Sequence, residues 1–229
     1  MKDIPTATSA TLAEQYRSHG LVYYTPREEC VHTVTHALGV VGAVALLVAM
    51  LHTATTPASI ATAVVSSLLL AVQFGVSALY HAARRLDRKS LLRRLDYPAV
   101  SLNVLACGSA FSLLYGHVYG YVAFGVGLGL VALTLCLCLA DFARFKPLGV
   151  VSAFVVGGLM FGSFLAAYLS PAGIIRRYPV VWYHLAGLLC SLAGAAFFAV
   201  RRPYMHAVFH VLVLVGPMLC MVGNLCQLS

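Results

Sequence analysis

The strongest constraint on this chain is a rhythm of uncharged apolar stretches, each long enough to cross a bilayer, separated by short segments that hold nearly all the charge. A continuous apolar run of about twenty residues can satisfy its backbone in hydrocarbon only by coiling into a helix. Such runs occupy His32–Leu51, Ser59–Tyr80, Tyr97–Tyr115, Tyr119–Ala140, Leu148–Leu169, Val180–Val200 and Met205–Gln227. Breaker residues divide them: Thr-Thr-Pro at 55–57, Gly116-His117, Lys146-Pro147, Ser170-Pro171 with Gly173, and Arg202-Pro203. The pattern predicts an all-α membrane protein, a bundle of seven transmembrane helices spanning residues 28–229. Only 10% of the residues are charged, against about 25% in soluble domains, so a water-soluble fold is excluded. Residues 1–27 are polar and rich in Thr and Ala, without the charged stub, apolar core and cleavage site of a signal peptide. They are expected to form a flexible cytoplasmic tail.

The basic residues then set the orientation. Lys2, Arg17, Arg27, Arg84, Arg85, Arg88, Lys89, Arg93, Arg94, Arg144, Lys146, Arg201 and Arg202 all fall on one side of a seven-span threading, and only Arg176 and Arg177 on the other. Positive charge collects on the cytoplasmic side. The chain is therefore expected to start in the cytoplasm and end outside it, in the plasma membrane or another cellular membrane. The same rule accounts for the net charge of +8, leaving no reason to expect a nucleic-acid partner; the basic 84–94 segment reads as a cytoplasmic loop that attracts anionic head groups. Six of the seven cysteines sit inside apolar runs, where they serve as small apolar residues, so no disulfide framework is expected.

Threading also gathers chemistry. The second helix ends on the cytoplasmic side with Ser77-Ala-Leu-Tyr-His81, and the third begins there with Asp96. The seventh starts there with His206 and His210, and the first with Glu28, Glu29, His32 and His36. Ionisable groups at membrane depth are costly unless paired, which marks them as functional. His206 and His210 stand four residues apart, on one helix face. With His81 they form a three-nitrogen donor set suited to Zn²⁺, leaving a fourth position for water. Asp96 is then a candidate general base and Ser77 a hydrogen-bond partner of water or substrate, with Glu29, His32 and His36 as accessory groups. His19, His52, His117 and His184 read as solvated or outer-side residues.

The segments "EECVHTVTHALG", "SALYHA", "LRRLDYPAV" and "PYMHAVFHVLVLVG" together resemble the hemolysin III family, within the progestin and adipoQ receptor group and related to alkaline ceramidases. The resemblance implies a seven-helix bundle with a cytoplasmic-side Zn²⁺ on His81, His206 and His210, an aspartate at Asp96, a serine at Ser77, and accessory positions at Glu28, Glu29 and His36. The chain departs from that pattern at His32, where the family commonly has asparagine, at "ACGSAFS" over 106–112, and at Pro98.

Two functions follow as expectations. One is a zinc-dependent lipid amide hydrolase, ceramidase-like, using zinc-activated water on a ceramide-like or fatty-acyl substrate drawn from the membrane. The other is a non-enzymatic receptor or regulator in which zinc ties helices together. The family name also raises pore formation, but no amphipathic insertion segment is present to support a cytolysin.

Overall fold

The computed structural model describes residues 7–170, 175, 178–200 and 202–228. These form eight helices: α1 (Ala7–Ser18), α2 (Pro26–Thr53), α3 (Pro57–Ala82), α4 (Leu86–Leu113), α5 (Val118–Ala140), α6 (Phe142–Leu169), α7 (Tyr178–Phe198) and α8 (Met205–Leu228). No strand occurs among the described residues. Lys2, Pro171, Gly173, Arg176, Arg177 and Arg201, used above to place breaks and sides, lie outside them.

Six helices, α2, α3, α5, α6, α7 and α8, are long and apolar enough to cross a membrane. The remaining long one, α4, contains the expected third span but begins eleven residues earlier, over the stretch that reads from sequence as a loop. Residues 86–96 are mostly good helix formers, and Asp87 sits favourably in the first turn. The break expected at Lys146-Pro147 is likewise displaced. Asp141 ends α5 and caps α6, accepting the Arg144 N–H at 3.1 Å, and Pro147 lies inside the new helix. The Asp141 cap fixes the start of α6 at Phe142, and the helix runs on through Pro147 although that residue forgoes its own intrahelical bond. Capping boxes at Thr25 and Thr56, each followed by proline, start α2 and α3.

The burial pattern is inverted relative to a soluble protein. Val41, Leu68 and Phe154 are 60–65% exposed, whereas Thr62, Ser66, Gln73, Ser77 and Asn224 are buried. Apolar surface faces outward, as a hydrocarbon solvent demands, and polar side chains pair in the interior. Asn224 is one case: its Oδ1 accepts from His184 Nε2 at 3.1 Å and its Nδ2 donates to the Ala106 carbonyl at 3.1 Å, linking α8 to α7 and α4. All seven cysteines are free thiols.

Helices α7 and α8 pack backbone against backbone. A Cβ on Gly187 would stand 2.6 Å from the Gly216 carbonyl oxygen and against the Cys220 sulfur. Backbone cannot swing aside as a side chain can. Gly187→Ala is expected to destabilise the bundle by about 1–3 kcal/mol, read as a lower melting temperature in detergent, while Ala at Gly125, which meets nothing within 4 Å, leaves it unchanged.

Candidate metal centre

α2 packs against both α3 and α8, which scarcely touch each other. This arrangement brings His81 from the end of α3 and His206 and His210 from the start of α8 around His32 on α2. One ring nitrogen from each of the four lies within 4.8 Å of the others. Ring centroids are 4.6 Å apart for His206–His210, 4.7 Å for His81–His210 and 5.7 Å for His81–His206. A tetrahedral imidazole shell with metal–nitrogen bonds near 2.0–2.1 Å puts centroids about 5 Å apart, so the cluster has the dimensions of one ion.

The surrounding contacts orient the donors. The Glu29 carboxylate accepts a hydrogen bond from His81 Nδ1 at 2.7 Å, which leaves Nε2 free to face the cluster. Its other oxygen pairs with the Lys89 ammonium at 2.9 Å. Lys89, 1% exposed, also donates to the carbonyl of Tyr80 at 2.9 Å and to those of His81 and Ala83 at 3.4 Å. It thus satisfies the open carbonyl end of α3 and fixes the helix turn that carries His81. Glu28 does the equivalent for α8. One oxygen closes the capping box on Thr25, and the other accepts the Tyr204 N–H at 3.0 Å, two residues before His206. Tyr204 adopts φ 61°, a left-handed conformation rare for a tyrosine, where the chain bends into α8. Tyr24 covers the cluster, stacked on His206 at 4.9 Å and edge-on to His32 at 4.9 Å. Burial and the nearby Glu29 carboxylate push its phenol well above the usual tyrosine range.

Of the residues expected from sequence, His81, His206 and His210 converge, Glu29 orients His81, and His32 lies inside the cluster. His36 lies one turn further along α2, 4.1 Å from His210 and 5.5 Å from Phe74 by ring centroids, outside the group of four. Asp96 faces Ser77 across α3 and α4, and no hydrogen bond joins it to the four histidines among the described residues. His184 is apart, bonded to the Val180 carbonyl at 2.9 Å and to Asn224. Lys89 was missed, read as one more cytoplasmic charge. Its signal was present: Lys89 and Asp96 are seven apart, one helix face, once 86–96 is allowed to be helical.

The four histidines fit a metal ion. His32 Nδ1 and Nε2 and His210 Nδ1 are buried with no hydrogen-bond partner. Buried imidazole nitrogens are normally satisfied, and a cation shared by the cluster would supply what they lack. All four donors are neutral-capable nitrogens, a set that suits zinc and its neighbours in the transition series.

The fold and site define a class: a polytopic helical membrane protein with a buried multi-histidine centre near one end of its bundle. The family model described as haemolysin-III related matches residues 24–221. The chain belongs to that family, and is an integral, multi-pass membrane protein. No solved structure matches it.

Proposed function

We propose that this protein is a zinc-binding membrane protein threaded seven times, with α4 as the span not met by length and composition alone, its N-terminus cytoplasmic and its C-terminus outside. Its activity is hydrolysis of a lipid amide of the ceramide type. The observation that carries the reading is the convergence of His81, His206 and His210 from two helices that otherwise hardly touch. Zinc held there supplies Lewis acidity for the carbonyl and lowers the pKa of water towards about 7. Ser77 orients Asp96, and Asp96 takes the proton released by water as it attacks. Glu29 holds the His81 tautomer, and Lys89 holds Glu29. The outward-facing apolar surface of α2 and α3, with Val41 and Leu68 exposed, gives an acyl chain a lateral approach from the bilayer.

Purified protein is expected to hydrolyse members of a ceramide panel, and Asp96→Asn to slow turnover by on the order of 10²–10⁴-fold with the bundle still folded. Turnover unchanged from the wild type in both Asp96→Asn and His206→Ala would remove the hydrolase reading. One observation favours the alternative, an ion that ties helices without catalysis: a fourth histidine, His32, within the cluster.

A further inference from the structure

We infer that His32 is a fourth nitrogen donor to the ion held by His81, His206 and His210, occupying the position that water would otherwise take. The inference rests on the metal-binding half of the reading above and is independent of hydrolysis. His32 is 0% exposed, and neither of its ring nitrogens has a hydrogen-bond partner. Its ring centroid lies 4.7 Å from His81, 4.9 Å from His206 and 4.6 Å from His210. It is therefore as near to each of the three as they are to one another. A buried imidazole left unpaired at both nitrogens carries the desolvation cost of each lost partner, and ligation satisfies one of them.

Elimination points to the same residue. The Glu29 carboxylate is engaged at both oxygens, by His81 and Lys89. The Glu28 carboxylate is likewise engaged at both, by Thr25 and Tyr204. Asp96 faces Ser77, and His36 sits 6.4 Å from His81 by ring centroids, outside the group. His36 Nδ1 is also without a partner, but of the two only His32 lies within the group. Four protein ligands complete a tetrahedral shell and make a closed site, whereas three leave the open position that hydrolysis uses.

The test uses the full-length protein in detergent, loaded with Zn²⁺ for X-ray absorption or with Co²⁺ for visible spectra. The wild type is expected to show four imidazoles and a Co²⁺ spectrum indifferent to azide. His32→Phe keeps the ring's volume but offers no donor. It is expected to show three imidazoles plus one light oxygen donor, an azide-dependent spectrum, and at least about tenfold weaker metal binding. His32→Gln serves if the phenylalanine variant does not fold. Three imidazoles and an azide response in the wild type would overturn the role given to His32 while leaving the metal centre intact. A wild type that takes up no metal would overturn both. Four imidazoles without ceramide turnover would uphold His32 and remove only the hydrolase.

Discussion

Lys89→Met is expected to lower the melting temperature of the detergent-purified protein by on the order of 10 °C. The substitution keeps most of the apolar stem but removes a buried charge that does two things at once. It pairs with Glu29 at 2.9 Å, and it fills the carbonyl end of α3 through Tyr80, His81 and Ala83. Removing one partner of a buried ion pair costs about 3–5 kcal/mol, mainly because the other charge is left unpaired, and each kcal/mol is worth roughly 2–4 °C in a chain of this size. The double variant Glu29→Gln/Lys89→Met should recover part of the loss, since neutralising Glu29 removes the uncompensated carboxylate. A surface ion pair behaves differently. Arg85 and Asp87 are bonded at 2.8 Å with both side chains about two-thirds exposed, and Asp87→Asn is expected to leave the melting temperature nearly unchanged. Equal small effects from the two sites would show that Lys89 is solvated in the membrane-bound protein.

Chelation should produce an effect of comparable size by a different route. A ligand that binds only the folded state stabilises it by about 4 kcal/mol when present at a thousand times its dissociation constant. Stripping the metal from the wild type is therefore expected to lower the melting temperature by on the order of 10 °C, and adding Zn²⁺ back to restore it. The loss is mechanical as well as thermodynamic. Helices α3 and α8 scarcely touch, so their ends at the site are joined chiefly through α2 and the cluster. His206→Ala/His210→Ala should start from the lower temperature and show no response to chelator or to added zinc. A wild type that ignores the chelator would mean that the histidines are held by packing alone.

The legibility of the fold and site in the sequence followed the physics that each feature uses. Membrane helices announce themselves because an unsatisfied backbone is forbidden in hydrocarbon, so the apolar runs gave most helix bodies without reference to packing. Their ends were less legible. The 86–96 segment carries Arg88, Lys89, Arg93 and Arg94, and charge density suggested a loop although it says nothing about backbone conformation. Asp141 likewise decides the α5–α6 junction through one side-chain bond to Arg144, a local interaction that hydropathy does not register. Within the site, spacing on a single helix was enough to pair His206 with His210, and alternating direction of the spans brought His81 to the same depth. The depth of His32 was legible, but not that its ring enters the cluster while His36, one turn on, stays outside. That distinction depends on the rotation of α2 about its axis, and α2 shows little amphipathic contrast to fix the rotation. Lys89 was hidden for a related reason: a lysine's long stem lets it reach inward from a position that sequence assigns to solvent.

Metal analysis of the detergent-purified wild type beside His206→Ala/His210→Ala tests the centre most directly. One zinc ion per wild-type chain, falling to near zero in the double variant while its helical circular dichroism is retained, is the predicted result. Equal metal content in the two proteins, or none in either after growth and purification with zinc present, would contradict a histidine-held ion as the core of this molecule.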